Sequence, residues 1–172
     1  MTRTIAKGLI LGILGVFLVS CVFSRDSPFV DDSGNPIVAP PIPEDSNKAV
    51  VFFYRPARLG LSGVSPTIAI YGNTSQLPVG RLHNSGYTWI AVPPGRYTFK
   101  AWLPRNLAGG EKSISFGVEG GQKYYIQVLL ERYFFVVVWH DVFTVTPVDE
   151  LEAKEAIKST QYIRPERDRF IE

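Results

Sequence analysis

From Ala49 to Val145 the sequence is a succession of short apolar segments, most of them broken by glycine, proline, asparagine or serine. This spacing constrains the fold more than any other feature, because a helix needs a longer uninterrupted periodic run. It predicts strands at Ala49 to Arg55, Pro66 to Tyr71, Leu77 to Leu82, Gly86 to Val92, Arg96 to Leu103, Lys112 to Val118 and Lys123 to Leu130. A last, long apolar run follows from Tyr133 to Val145, and loops are expected at Arg58 to Ser65 and Asn106 to Glu111. Alternation supports the assignment. Tyr97, Phe99, Ala101 and Leu103 share one face of their segment, with Thr98 and Lys100 on the other and Trp102 as the exception. Ile114, Phe116 and Val118 oppose Ser113, Ser115 and Gly117. Period-two patterning lines one side of a strand and cannot line one side of a helix. The expected fold is mainly β, an antiparallel β-sandwich of seven or eight strands.

Composition limits the function. The 172 residues suit one domain of ordinary size with extensions, and 45% hydrophobic content excludes disorder throughout. The net charge of +2 belongs to Arg3 and Lys7, since the rest of the chain has equal numbers of basic and acidic residues. Such a balance argues against nucleic acid as a partner, which calls for a concentrated basic face. With one cysteine no intrachain disulfide forms, and two histidines without cysteine partners make a zinc site an unfavourable expectation. No metal or other cofactor is implied.

The N-terminal segment has its own logic. Two cations lie in Met1 to Lys7, and Gly8 to Val19 is an apolar run of twelve residues. A membrane-crossing helix needs roughly 20 apolar residues, so twelve is short for a permanent span and suits the core of a secretory signal. Leu18-Val19-Ser20-Cys21 follows. This resembles the lipobox of bacterial lipoproteins, in which a small residue precedes the cleaved bond and the cysteine thiol receives diacylglycerol. The resemblance implies a signal peptide over residues 1–20, recognised through Leu18, Val19 and Ser20, and lipid on Cys21. Several acyl chains on one residue would hold the protein on a membrane effectively for good. Val22, where an aspartate would favour inner-membrane retention, leans the expectation toward the outer membrane of a diderm host, on its periplasmic face.

Val22 to Lys48 reads as a linker. Pro28, Pro36, Pro40, Pro41 and Pro43 are spread through it among aspartates, serines, glycine and asparagine. Prolines bias a chain to an extended form, so residues 21–48 are expected to act as a semi-stiff spacer. The folded domain is expected over residues 49–162. Near its end, Asp149 is an expected N-cap for a short helix ending near Ser159. Leu151, Lys154 and Ile157 make no wide apolar stripe, so this helix is expected to pack lightly on the sheet edge. Residues 163–172 read as a charged tail.

Several phrases occur in a telling order: Val51-Phe52-Phe53-Tyr54-Arg55-Pro56, then Ile68 to Gly72, Val79-Gly80-Arg81-Leu82, Gly86-Tyr87, Val92-Pro93-Pro94-Gly95-Arg96-Tyr97 and Gly121-Gln122-Lys123-Tyr124-Tyr125. Together they make the segment from Lys48 to about Tyr162 resemble DUF2846, a family of bacterial lipoprotein domains. Asn73-Thr74-Ser75-Gln76 departs from the tight turn usual there. The Pro-Pro-Gly-Arg-Tyr turn taken alone also looks like PEGA-type modules, which implies an Ig- or PEGA-like sandwich. The resemblance implies no established activity.

A search for chemistry gives few candidates. His140-Asp141 is a tempting pair, but neighbours in a strand point to opposite faces, and no Gly-x-Ser-x-Gly elbow is present. Arg55, Arg58, Arg81, Arg96 and Arg105 would have to converge to bind an anion, and ordinary surface charge is the simpler reading. Tyr87, Trp89 and Trp102 would have to be exposed and coplanar to stack on a sugar, and core packing competes with that use. Tyr133 to Trp139, Tyr-Phe-Phe-Val-Val-Val-Trp, is apolar on both faces. It is either a central strand covered by the helix, or an apolar edge for a partner or the lipid surface. The expected function is a non-enzymatic, membrane-anchored envelope domain that binds a protein partner or stabilises an assembly. The alternative is a carbohydrate- or peptidoglycan-binding module that uses the aromatics with Arg55 and Arg81.

Overall fold

The strand β1 (Ala49–Arg55) is buried along its whole length, on both faces. A computed structural model describes residues 29, 31, 33–59, 61–72, 76–103, 110–135 and 138–165, with the backbone alone at 133–135 and 138–140. Ala49, Val51, Phe53 and Arg55 point one way from β1, and Val50, Phe52 and Tyr54 point the other. Each direction is covered by a different layer.

Among the described residues eight further strands and one helix follow: β2 (Thr67–Tyr71), β3 (Gln76–Arg81), β4 (Gly86–Val92), β5 (Gly95–Trp102), β6 (Glu111–Val118), β7 (Lys123–Phe135), β8 (Val138–Val148), α1 (Glu150–Lys158) and β9 (Gln161–Tyr162). They form a five-stranded sheet, β8-β7-β1-β4-β9, and a four-stranded sheet, β3-β2-β5-β6. The β-rich, sandwich-like fold agrees with the alternation. Ile68, Ile70, Phe99 and Ala101 of the smaller sheet meet Val51, Phe53, Ile90 and Ile126 of the larger one. The rings of Phe53 and Phe99 lie 6.0 Å apart across the layers. Burying such a side chain contributes about 1.5–3 kcal/mol relative to leaving it in water. Pro78 is tolerated because β3 is an edge strand, and the register of β2 on β3 shifts beside it, between Ile68 and Ala69.

Four expectations are corrected. The sheets are not purely antiparallel, since β1 pairs with β7 in parallel and β4 with β9 in parallel. Apolar alternation reports which face is buried but not which strand lies alongside. The run from Tyr133 to Val145 is not one strand. β7 runs on to Phe135, and β8 returns from Val138, with Phe135 opposite Val138 and Tyr133 opposite His140. The helix does not rest on a sheet edge. It lays Ala153, Ala156 and Ile157 over Val50, Phe52, Tyr54 and Tyr125 in the middle of the larger sheet, while Leu151 is 75% exposed. The strand that the helix covers is β1. Asp149 does cap α1, its carboxylate accepting from the Glu152 amide at 3.0 Å.

The fourth correction concerns the linker. Asp31 closes a turn, its carboxylate accepting from the Ser33 and Asn35 amides at 2.9 Å each, and the Ile37 amide donates to the Phe29 carbonyl at 2.9 Å. Phe29 packs on the core. At the other end, Gly121 adopts a left-handed conformation (φ 74°) and donates its amide to the Lys48 carbonyl. A Cβ on Gly120 would lie 2.5 Å from the Ser46 carbonyl oxygen, so only glycine admits this approach. The segment is thus held to the domain at two places instead of standing free as a spacer.

The docking face of α1 can be tested by denaturant unfolding. Enlarging buried Ala153 to leucine should cost about 1–3 kcal/mol by overpacking. Leu151→Ala, on the exposed face, should change stability by less than about 0.5 kcal/mol.

Candidate functional site

The alternation that buries Val51 and Phe53 also drives Arg55 inward, and its side chain is fully buried. Burying a charge is costly unless polar atoms replace water. Here the replacements are carbonyls. Nη1 donates to the Val64 carbonyl and Nη2 to the Leu61 carbonyl at 2.8 Å, while Nε has no partner. Loss of solvent lowers the guanidinium to about 10, which still leaves it charged at neutral pH. Arg55 is therefore not ordinary surface charge. It is an internal post that holds the Leu61 and Val64 carbonyls.

Other contacts gather at the same end of the sandwich. Asn84, in the β3–β4 turn, accepts the Arg58 amide at 2.9 Å, and the Arg58 guanidinium pairs with Glu131 of β7. Ser65 Oγ and His83 Nδ1 are 2.9 Å apart and partly buried, and Phe29 meets the His83 ring edge-on with centroids 6.3 Å apart. A hydroxyl beside an imidazole is the first half of a nucleophilic arrangement. Its evident role here is to fasten the long loop to the β3–β4 turn. The pair escapes a linear reading because Ser65 and His83 are distant in sequence and neither lies in a motif. Farther along β7, Arg132 makes a two-pronged contact with Asp141 of β8, Nε to Oδ1 at 2.6 Å and Nη2 to Oδ2 at 2.8 Å. The pairing holds the Asp141 carboxyl below its ordinary 3.8 and the Arg132 guanidinium above its own.

A family model described as a protein of unknown function, DUF2846, matches residues 45–137, more than half of the chain. The chain belongs to this family. No curated protein matches it. In the DUF2846 domain the sequence phrases that carried the resemblance turn out to be fasteners. Tyr97 donates its hydroxyl to the Pro93 carbonyl at 2.9 Å, closing the Pro-Pro-Gly turn. Tyr124 accepts the Glu119 amide at 2.9 Å, closing the Gly120-Gly121 turn. Arg55 holds the loop after Pro56.

The DUF2846 domain does not bring the other sequence candidates together. Tyr87 and Trp89 lie on the helix side of β4, packed against the cluster under α1, and Trp89 Nε1 is buried without a partner. Trp102 belongs to the other sheet, at the end of β5 opposite Thr67 and Glu111. Arg81 and Arg96 are exposed on separate strands, β3 and β5, while Arg55 is inside. No stacking platform and no arginine cluster result from these positions. His140 is described by its backbone alone, opposite Tyr133, and its neighbour Asp141 is occupied by Arg132. Leu18, Val19, Ser20, Cys21 and Arg105 lie outside the described residues. A cleft of about 430 Å³ opens where the edge of β6 approaches β7 and the start of α1, lined by Phe116, Tyr124, Lys123 and Glu150 among others.

Two outcomes follow from these contacts. Arg55→Met keeps bulk but removes the guanidinium donor to the Val64 carbonyl and leaves the Leu61 carbonyl with the Val64 amide alone, at about 1–3 kcal/mol for an unsatisfied buried group. Limited proteolysis should then show new cleavage between Ala57 and Ser65. In alkali, the Tyr125 phenol, pushed up to about 12 by burial and by Glu150, stays protonated after exposed tyrosines ionise near 10. A raised folded-state value means that its contribution is complete below pH 10 and is lost as pH rises toward 12. Ultraviolet titration should resolve this late phenol, and Tyr125→Phe should remove it.

Proposed function

We propose that the chain is exported, cut before Cys21 and held by lipid on that residue at the bacterial cell envelope, where its DUF2846 domain is a non-enzymatic binding or scaffolding module. The observation that carries this reading is the order of the first twenty-one residues: Arg3 and Lys7, the apolar run Gly8 to Val19, then Leu18-Val19-Ser20-Cys21. Each part meets a different physical demand: orientation by charge, insertion by a short apolar core, and cleavage beside a small residue. Val22 favours the outer membrane. The described part of the domain supports a binding or scaffolding role through what it is built to do. Its buried cation and its Ser65–His83 pair restrain loops at one end of the sandwich, and its tyrosine hydroxyls close turns at the other, giving a rigid surface. The glycan-binding alternative is weakened because Tyr87 and Trp89 lie under α1 and Trp102 lies on the other sheet. An envelope protein is therefore the favoured partner.

Cells expressing the wild-type chain should incorporate radioactive palmitate into it, and Cys21→Ser should abolish the label and leave the longer precursor. Undiminished label in that variant would overturn the anchor.

A further inference from the structure

The β7–β8 hairpin outgrows the sandwich. β1 accompanies β7 only as far as Gln127, yet β7 continues to Phe135 with β8 as its sole described neighbour. Core burial along this ribbon reaches Leu130 and its cross-strand partner Phe143. Next come Glu131, paired with Arg58, and Arg132, paired with Asp141. Beyond this charged collar stand Tyr133, Phe134, Phe135, Val138, Trp139 and His140. Cross-strand register puts Phe134 and Trp139 on one face, and Tyr133, His140, Phe135 and Val138 on the other. Apart from His140, beside the collar, both faces are apolar, and among the described residues no third strand flanks this part of the ribbon; an isolated two-stranded hairpin is marginal in water.

Where the chain emerges indicates what covers it. β7 runs parallel to β1, so the ribbon projects past the Arg55 end of the domain. Phe29 is docked at that same end, against His83 of the β3–β4 turn. Seven residues, Val22 to Pro28, separate it from Cys21. Covalent reach therefore limits the distance from Cys21 to Phe29 to about 29 Å. Leu59, 97% exposed, stands beside Arg58 at the base of the ribbon. We propose that this arm enters the bilayer interface next to the lipid anchor, with Tyr133, Phe134, Phe135, Val138 and Trp139 in the acyl boundary. The collar of Arg58, Glu131, Arg132 and Asp141, with His140 next to it, stays at headgroup level. Three residues beyond the collar reach about 10 Å at 3.3 Å per residue, which matches the roughly 5–10 Å to which interfacial segments bury. Tyrosine and tryptophan are the side chains that favour this boundary.

The proposal rests on lipid at Cys21, and one preparation tests the two separately. The full chain, purified from palmitate-labelled cells, is reconstituted in phosphatidylethanolamine–phosphatidylglycerol vesicles doped with brominated phosphatidylcholine. Palmitate reports the anchor. Tryptophan emission reports the arm, with Trp139→Phe supplying the background of Trp89 and Trp102. The expected result is strong quenching of the wild type by lipid brominated near the headgroup, most of it lost in Trp139→Phe. Quenching equal in the two proteins, on a chain that carries palmitate, overturns the arm and leaves the anchor standing. This holds whether the arm is then found crosslinked to a second copy or to another protein. Trp139-dependent quenching on a chain without palmitate supports the arm and overturns the anchor.

Discussion

The parallel pairing of β1 with β7 is the constraint on which the rest of the molecule depends. Two parallel neighbours start at the same end, so the chain between them must leave and return. It does so by building β4 on the other side of β1 and the whole of the second sheet from β2, β3, β5 and β6. The inward face of β1 then has a layer to meet. Its outward face, with Val50, Phe52 and Tyr54, would be bare without the helix that follows β8. A strand apolar on both sides is stable only between two covers, and the topology supplies both.

Arg55 is the polar counterpart of that constraint. It stands at the end of the inward row, where the core meets the first long loop, and answers the loop's carbonyls instead of a carboxylate. From there a chain of contacts runs outward: Arg58 to Asn84 and Glu131, Ser65 to His83, His83 to Phe29. Segments far apart in sequence are thereby fixed at one end of the sandwich. The docked Phe29 fixes the linker to the domain at that point.

Much of this was legible. β1 and β4 have the bounds that alternation and turn residues gave them, because Pro56 and Gly86 interrupt apolar runs that have one clear meaning. The capping role of Asp149 was legible for the same local reason. The burial of Arg55 was also within reach, since positions 49, 51, 53 and 55 share a face. Treating arginine as a surface residue by type concealed it. The β7–β8 hairpin was not legible, because the apolar run from Tyr133 to Trp139 contains none of the residues that mark a reversal. The parallel ladder and the Ser65–His83 pair depend on long-range topology, which no window of sequence contains. The helix was misplaced because its packing face consists of two alanines and Ile157, too small a stripe to stand out beside the conspicuous but exposed Leu151.

The cover over β1 has a consequence in time. A ribosome makes β1 before any other strand, yet Ala153, Ala156 and Ile157, which roof it, are made after β8. Ile163, which closes against Gly86, comes later still. During synthesis this strand, buried on both faces once folded, therefore waits through residues 56–149 with one side unprotected. Folding of this chain cannot be completed piece by piece from its N-terminus, and an emerging chain depends on being shielded until its helix arrives.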